Sequence, residues 1–285
     1  LQERAITTPQ KIPYLFLEDG ENETTTITYG ELDKKARAIA AYLQSKQLFG
    51  ERVLLAYPSG LDFIAALFGC FYAGVIAVPV NAASVHDITK SRDVIINISK
   101  DANIAGIFTI DAYLPQIKTL SEELPLTVFI SDSTCLDVNL SSNYQTPHVS
   151  EDTIAYLQYT SGSTASPKGA IIQHQNLIHS LKETIKAWDY KKSSITLNWA
   201  PHSHIYGLIA GVLTPFYHGT LSILMPTYTF LTKPIRWLNA ISQYRVTHSG
   251  CPNFGYDLCI QEIQDDELSE LNLKNWTTAI NGGEF

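Results

Sequence analysis

The chain has 285 residues, of which 45% are hydrophobic and 17% are charged, and its formal net charge is −8. This composition is typical of a globular protein and excludes a disordered, collagen-like or coiled-coil chain. The length fits one large domain or two ordinary ones. Because holding a phosphate backbone requires clustered cations, the acidic charge and the lack of a Lys/Arg cluster argue against nucleic-acid binding.

The cysteines and the first residues of the chain indicate the cellular compartment of the protein. The four cysteines lack CxxC spacing, which favours buried thiols in a reducing compartment over a disulfide framework or a zinc site. They are Cys70, Cys135, Cys251 and Cys259. No apolar signal-peptide segment follows the polar residues 2–4. We therefore expect a cytoplasmic protein, and Leu at position 1 indicates a chain that is trimmed, processed or part of a longer protein.

Strand and helix patterns alternate through the first half of the chain. Short apolar runs typical of buried strands occur at residues 14–17, 52–57, 106–110 and 127–130. Thr28 and Glu31 have the spacing of a capping box ahead of a helical pattern, and Ser59 is predicted to cap the next helix. This alternation predicts a mainly parallel sheet covered on both faces.

Residues 63–80 carry no charge and imitate a membrane span. Gly69, Gly74 and Pro79 interrupt this run, so a helix that ends near Gly74 and a buried strand at 75–78 explain it better. We therefore expect no transmembrane segment.

The second half begins after a polar stretch at residues 131–152, the only linker-like region, which we expect to separate two subdomains. A strand at 154–159 leads into a loop of small polar residues. A strand at 170–172 follows, and Asn176 is predicted to cap the helix after it.

The loop at residues 160–169 carries the sharpest chemical signal, and it reads Thr-Ser-Gly-Ser-Thr-Ala-Ser-Pro-Lys-Gly. Glycine lets several backbone N–H groups point into one concavity, while hydroxyl groups and Lys168 add donors and positive charge, a combination that suits phosphate oxygens. The loop is not a Walker A motif, because the spacing from Gly162 to Lys168 is one residue too long and Gly169 replaces the Ser or Thr. A flexible surface hairpin is the alternative.

Three further stretches are candidates for chemistry: residues 199–208, 250–257 and 279–285. His202 and His204 have a spacing found in zinc sites, but no further ligand lies at a recognisable spacing, so no metal site is predicted. The other two stretches are strands that run into small-residue turns, where open α/β sheets bind ligands. Ordinary turns are the alternative.

Together these stretches resemble the adenylate-forming superfamily, and most closely its fatty acyl-AMP ligases. The resemblance extends over essentially the whole chain. It is carried by residues 157–164, His204 with Gly207, Phe230-Leu231, residues 234–238, residues 249–259 and Gly282-Gly283-Glu284. It implies an α/β fold of layered sheets flanked by helices, as in the large N-terminal domain of these enzymes. It also implies that this domain is truncated here, with approximate subdomains 1–150 and 151–285, and that the C-terminal domain is absent.

The resemblance implies a function as well: ATP-dependent activation of a fatty acid to an acyl-adenylate, with Mg²⁺ as a cofactor. The acyl group would then pass to the phosphopantetheine thiol of an acyl carrier protein. The alternatives are an acyl-CoA synthetase, a non-catalytic fragment and an independent P-loop nucleotidase. Residues 1–285 alone are expected to show no ATP–pyrophosphate exchange.

The resemblance further implies residue roles. The catalytic residues would be His204, beside the fatty carboxylate, and Lys168. The ATP phosphates would contact Thr160, Ser161, Gly162, Ser163, Thr164, Lys168 and Gly169, and the adenine would contact Gly282, Gly283 and Glu284. An acyl tunnel would be lined by Gly207, Leu208, Ile209, Gly211, Ser249, Gly250, Pro252, Asn253 and Phe254.

The sequence also departs from the family pattern. Ala165 stands where the family usually has Gly. His202, Ser203 and Ile205 differ from the Pro-Tyr-His-Asp run that is typical of the fatty acyl-AMP ligases, so the Asp is lost. Residues 204–207 look more like those of a CoA ligase.

Overall fold

The computed structural model describes residues 1–22, 24–82, 84–125, 128–160 and 168–282. The chain forms two compact units. The first contains Leu1–Pro9, Tyr29–Pro58 and Asp62–Ser180, and the second contains Gln10–Thr28, Ser59–Leu61 and Leu181–Phe285. The units are therefore not two consecutive halves of the chain.

The regular elements are numbered in chain order. The strands are β1 (Tyr14–Leu17), β2 (Thr24–Ile27), β3 (Arg52–Tyr57), β4 (Ile76–Asn81), β5 (Gly106–Thr109), β6 (Phe129–Asp132), β7 (Ile154–Thr160), β8 (Lys168–Gln173), β9 (Ile195–Asn198), β10 (Leu221–Leu224), β11 (His248–Cys251) and β12 (Thr278–Asn281). The α-helices are α1 (Gln2–Thr7), α2 (Tyr29–Ser45), α3 (Leu61–Ala73), α4 (Val85–Lys90), α5 (Arg92–Asp101), α6 (Leu114–Ser121), α7 (His174–Ala187), α8 (Thr214–His218), α9 (Thr227–Thr232), α10 (Ile235–Gln243), α11 (Asn253–Glu262) and α12 (Asp265–Leu268).

The first unit contains a six-stranded sheet in the order β6-β5-β3-β4-β7-β8. Its strands are parallel except β8, which pairs antiparallel with β7. Five of the six residues of β3 are buried, and so are five of the six residues of β4. Such unbroken apolar runs are typical of parallel strands that helices cover on both faces.

The second unit repeats this plan with a sheet in the order β12-β11-β9-β10-β1-β2. Here β2 is the antiparallel edge strand, and the other strands are parallel. The mainly parallel sheet predicted from the alternation of strands and helices is therefore confirmed, and each unit contains one.

The uncharged run at residues 63–80 folds as predicted. The helix α3 ends at Ala73, and Gly74 follows with a φ of +66°, a left-handed conformation that glycine adopts without strain. The strand β4 then begins at Ile76. Among the residues that the structure describes, no helix is both long and apolar enough to span a membrane.

The polar stretch at residues 131–152 was expected to be a linker, but it packs inside the first unit. The Tyr144 ring stacks on Tyr72 with their centroids 5.5 Å apart. The backbone N–H of Gln145 donates to Gln44 Oε1 at 3.1 Å, and Gln44 Nε2 donates back to the Gln145 carbonyl at 2.5 Å. These contacts join residues 131–152 to α2 and α3, and no local sequence pattern predicts them.

The predicted cap residue Thr28 stands directly before α2, which begins at Tyr29. The other two predicted helix caps, Asn176 and Ser59, are wrong. The helix α7 begins at His174, so Asn176 lies in its first turn, where Asn176 Oδ1 accepts a hydrogen bond from the Gln173 N–H at 3.0 Å. The helix α3 begins two residues after Ser59, whose hydroxyl oxygen accepts instead from the backbone N–H of His202 at 3.2 Å. In both cases the side chain satisfies a different backbone donor from the one predicted.

The four cysteines are free, but they are not all buried. Cys70 and Cys251 are buried as predicted, and Cys259 is partly buried. Cys135 is exposed in a short 3₁₀ turn, where its thiol donates to the Asp132 carboxylate at 3.0 Å. The turn lies on the surface after β6, so Cys135 corrects the expectation of four buried thiols.

Candidate active site

Three of the predicted stretches follow neighbouring strands of the sheet in the second unit. Because β9, β11 and β12 are parallel neighbours, their carboxyl ends lie at the same edge of that sheet. The turn at 199–206 follows β9, the stretch from Pro252 follows β11, and Gly282 follows β12. This edge of an open α/β sheet is where ligands commonly bind.

The base of the turn after β9 is fixed by backbone and side-chain hydrogen bonds. Asn198 Oδ1 accepts from the N–H of Ala200 at 2.8 Å, and the Asn198 carbonyl accepts from the N–H of Met225 at 3.1 Å. The hydroxyl of Thr227 donates to the Trp199 carbonyl at 2.8 Å. The turn is thereby anchored to the segment that follows β10.

An aromatic cluster packs beside this base. Trp199 is 3% exposed, and its ring stacks on Phe230 with centroids 4.0 Å apart and an interplanar angle of 14°. The edges of Trp237 and Phe254 meet the Trp199 ring at 6.3 and 6.0 Å. Within the described part of the chain, the buried Trp199 Nε1 has no hydrogen-bond partner.

His204 lies in the exposed part of the turn. Its backbone N–H donates to the Pro201 carbonyl at 3.0 Å, and its Nδ1 accepts from the N–H of Tyr206 at 3.1 Å. Because a backbone N–H can only donate, the neutral ring carries its hydrogen on Nε2. Partial burial of the ring lowers its pKa below the ordinary value of 6.5, so the imidazole is neutral at pH 7. His204 Nε2 is therefore a hydrogen-bond donor suited to a carboxylate oxygen.

His202 differs sharply from His204, although only two residues separate them. Its side chain is 2% exposed, and its Nδ1 accepts from the N–H of Gly60 at 3.2 Å. Burial lowers the pKa of His202 to about 3, so this ring is neutral as well. In the described residues, no group of three or more His, Cys, Asp or Glu side chains is arranged to hold a metal ion.

The glycines of the predicted tunnel allow close packing. After the turn, residues Gly207–Leu213 form a π-helix. A Cβ atom on Gly207 would lie 2.1 Å from the Pro201 carbonyl oxygen, and one on Gly211 would lie 2.8 Å from Asn198 Cβ. The protein itself therefore fills the positions that side chains would take at these glycines. Between them Leu208 is buried and Ile209 is partly buried.

The end of β11 is equally well packed. Ser249 accepts from Trp237 Nε1 at 2.9 Å and donates to the Leu197 carbonyl at 2.8 Å. A Cβ atom on Gly250 would lie 2.0 Å from the Ile280 carbonyl oxygen. Ser249 and Gly250 thus hold neighbouring strands together.

Beyond β11, Pro252 is partly buried, whereas Asn253 and Phe254 at the start of α11 are exposed. Asn253 Oδ1 accepts from Asn281 Nδ2 at 2.5 Å, which links the start of α11 to the end of β12. An acyl tunnel along these residues stays a prediction.

The hairpin β7–β8 of the first unit carries three of the predicted phosphate-binding residues, Thr160, Lys168 and Gly169. Thr160 pairs with Lys168, and Tyr159 pairs with Gly169. A Cβ atom on Gly169 would lie 2.7 Å from Tyr159 Cζ, so the tyrosine ring covers this glycine. The Tyr159 hydroxyl donates to Asp101 Oδ2 at 2.6 Å, and burial together with this carboxylate raises the pKa of Tyr159.

Part of the predicted site lies outside the described residues. This part comprises Ser161, Gly162, Ser163, Thr164, Gly283 and Glu284, and Ala165, the departure from the family pattern, also lies outside the described residues. Of the remaining residues, Lys168 is an exposed side chain at the start of β8. Gly282 follows β12, and no atom of the described residues lies within 4 Å of the position its Cβ would take.

Sequence reasoning missed Ser59 and Gly60, which hold His202. The contacts join residues 142 and 143 positions apart along the chain. A Ser-Gly pair before a helix is also a common cap sequence, and such a pattern cannot reveal a partner so distant in sequence.

Comparison with known proteins identifies the family. Residues 1–284 match the family described as AMP-binding enzyme. The chain belongs to this family. The AMP-binding match covers both units and all the stretches discussed above, in agreement with the resemblance to adenylate-forming enzymes.

Two curated relatives of this AMP-binding chain are fatty-acid ligases by name. The medium-chain-fatty-acid–[acyl-carrier-protein] ligase JamA of Moorena producens is 42% identical over 100% of this chain and 48% of its own length. The medium-chain-fatty-acid–[acyl-carrier-protein] ligase TtuA of Teredinibacter turnerae is 31% identical over 97% of this chain and 49% of its own length. The chain thus spans about half the length of these relatives.

A solved structure shows the same fold. A fatty acyl-adenylate ligase from L. pneumophila, crystallised with acyl adenylate and pyrophosphate, superposes with a TM-score of 0.91. The match covers 99% of this chain and 49% of the other chain, at 35% sequence identity. The fold predicted from the resemblance, layered sheets flanked by helices, is confirmed.

Proposed function

We propose that the protein that carries this chain activates a fatty acid with ATP to an acyl-adenylate and then transfers the acyl group to the phosphopantetheine thiol of an acyl carrier protein. The observation that carries the proposal is the superposition on a ligase that holds acyl adenylate and pyrophosphate, the two products of such an activation. The names of JamA and TtuA support an acyl carrier protein as the acceptor and a medium-chain acid as the substrate.

The first step needs charge neutralisation and positioning more than covalent help from the protein. A carboxylate oxygen attacks the α-phosphorus of ATP, and pyrophosphate leaves with the electron pair of the broken P–O bond. His204 Nε2–H donates to the other carboxylate oxygen and orients the attack. Its neutral ring suits this role, because it offers a donor without adding a proton to the nucleophile.

The nucleotide is proposed to contact the residues that the resemblance assigned. Thr160 to Thr164, Lys168 and Gly169 hold the β- and γ-phosphates, and Gly282 to Glu284 contact the adenine. ATP enters as its magnesium complex, so the ion belongs to the substrate, and its charge offsets that of the phosphates. In the second step the thiol sulfur attacks the acyl carbonyl carbon, and a thioester forms. The bond from that carbon to the AMP phosphate oxygen breaks, AMP leaves with its electron pair, and the thiol proton passes to solvent. A cytoplasmic location stays a prediction.

The test uses the complete natural protein with ATP, a series of straight-chain fatty acids and three acceptors offered separately: CoA, the holo carrier protein and the apo carrier protein. Mass spectrometry of the products is expected to detect acyl-AMP with fatty acids and a thioester only on the holo carrier protein. Formation of acyl-CoA instead would assign the acyl-CoA synthetase alternative. Release of phosphate from ATP without any acid, and no acyl-AMP with any acid, would overturn the proposal.

A further inference from the structure

The turn after β9 contains a second histidine, His202, for which no role has been assigned so far. His202 is held at two points by the segment just before α3. Its ring accepts the Gly60 N–H through Nδ1, and its backbone N–H donates to Ser59 Oγ, both at 3.2 Å. Both the ring and the backbone of one residue are therefore fixed by two consecutive residues. This pattern specifies a single position for the turn.

The position of the turn decides where the His204 ring lies. Pro201, directly before His202, provides the carbonyl that accepts the His204 N–H. On the other side, the His204 carbonyl accepts the N–H of Leu208 at 2.9 Å, inside the helical segment that packs on the turn. The backbone of His204 is thus fixed at both ends, and the first of these ends depends on the residue adjoining His202.

His202 does not duplicate the role of His204. Its side chain is 2% exposed, whereas His204 is exposed in the same turn. A side chain so deeply buried acts on an external ligand through its neighbours. The Gly60 N–H needs a hydrogen-bond acceptor at the position of His202 Nδ1. An apolar side chain of similar volume has no acceptor there.

We propose that His202 is a positioning residue for the carboxylate-binding His204: its bonds to Ser59 and Gly60 hold the turn so that His204 Nε2–H points at the fatty carboxylate. This inference rests on the proposed function. The hydrogen bond from the Tyr206 N–H to His204 Nδ1 fixes the tautomer, and His202 fixes the location of that whole arrangement.

The test compares two variants of His202 in the complete protein. His202→Leu keeps the volume but removes the acceptor, whereas His202→Asn places an amide oxygen where Nδ1 was. We expect His202→Leu to lower kcat for acyl-adenylate formation about tenfold or more, because small displacements of a reacting group cost large factors in rate. The KM for ATP should change less than about twofold, and His202→Asn should recover most of the kcat. The exposed His179→Asn in α7 is the matched control and should match the wild type.

A second readout is independent of turnover. With ¹⁵N-labelled histidine, the His204 signals, assigned by their loss in His204→Gln, report the tautomer of the ring. We expect the His204 signals of the wild type and His202→Asn to coincide, with the hydrogen on Nε2, and those of His202→Leu to shift, because the surroundings of the ring change when the turn moves. Unchanged His204 signals and unchanged kcat in a folded His202→Leu would overturn the proposal.

If His202→Leu does not fold, Ser59→Ala is the deciding variant, because it removes only the oxygen that accepts the His202 N–H. A lower kcat at unchanged KM for ATP, with altered His204 signals, would support the proposal. Wild-type kcat and signals in Ser59→Ala would overturn it. Failure of the proposed function is distinct from these outcomes, since the wild type itself would then form no acyl-adenylate.

Discussion

The turn after β9 and the hairpin β7–β8 present their candidate residues in opposite ways. The hairpin ends in an edge strand, and Ile171 in β8 is 61% exposed. The turn starts from the buried Trp199 and is fixed through the buried His202. Substitutions in the turn should therefore destabilise the whole second unit, whereas those in the hairpin should have local effects.

The same difference explains why the hairpin is easier to recognise in the sequence than the turn. The loop at 160–169 is conspicuous because backbone N–H groups and small hydroxyl side chains would themselves bind phosphate, which requires many such residues in a row. The turn has a weak local pattern, because partners far along the chain hold its histidines in place. A run of small polar residues therefore predicts that phosphate is bound through the backbone. A functional side chain that is held by residues far along the chain leaves only a weak local pattern.

The largest effect is expected for Gly207→Ala. The new Cβ atom would lie 2.1 Å from a backbone oxygen, and the backbone must shift to relieve this overlap. We expect the free energy of unfolding to fall by about 3 kcal/mol or more. Chemical denaturation of the complete protein measures it, with Gly282→Ala, whose Cβ position is open, as the control. A loss below about 1 kcal/mol would contradict the close packing of the turn.

The second-largest effect is a pH dependence of the free energy of unfolding, which His202 causes. The folded protein keeps this ring neutral down to about pH 3, whereas the unfolded chain binds a proton below its ordinary pKa of 6.5. The contribution of the neutral His202 ring to the free energy of unfolding is therefore fully present above pH 6.5 and is lost as the pH falls towards 3. Between about pH 8 and about pH 5 the wild type should lose about 2 kcal/mol more than His202→Asn.

Denaturation of both proteins at the two pH values measures this difference. The two proteins differ only at this side chain, so contributions that they share cancel in the comparison. Parallel losses in the wild type and the variant would mean that His202 is accessible to protons in the folded state.

A smaller effect is expected in the hairpin for Gly169→Ala. The added methyl group meets the Tyr159 ring, which is the end of a side chain and can move. We expect a loss of about 1 kcal/mol, with faster hydrogen exchange confined to β7 and β8. The exposed Ala170→Ser is the matched control. A loss as large as that of Gly207→Ala would erase the contrast between the two regions.

The smallest effect is expected for Tyr159→Phe. This change removes the hydroxyl that donates to Asp101 and keeps the ring over Gly169. The loss should be about 1 kcal/mol or less, because the pair is partly exposed to water. Denaturation measures it against Tyr228→Phe, a change at a tyrosine that is 61% exposed. Equal stabilities of the two variants would show that the bond to Asp101 contributes nothing.

Much of the secondary structure was predictable, because its causes are local. The strand predicted at residues 52–57 is β3, and the run at 63–80 divides at Gly74 as expected. Strand pairing was not predictable in the same way. β1 lies beside β10, some 200 residues later, and no short pattern in either strand specifies the partner.

The candidate site was predictable only in part. His204 and the ends of β11 and β12 were recognised from a family resemblance, and the parallel sheet brings them to one edge. Ser59 and Gly60 were not recognised, because a hydrogen bond to a residue so distant in sequence leaves no local trace. The same reason explains the wrong cap assigned to Ser59.

The proposed mechanism depends most on His204, which binds the fatty carboxylate during acyl-adenylate formation. Pyrophosphate release by the complete protein, with saturating ATP and a fatty acid, tests it directly in His204→Leu, His204→Gln and the control His179→Asn. We expect a loss in kcat of about 100-fold or more in His204→Leu and a smaller loss in His204→Gln, which keeps a donor near the Nε2 position. The control should keep the wild-type rate. Wild-type kcat in a folded His204→Leu would contradict this role of His204.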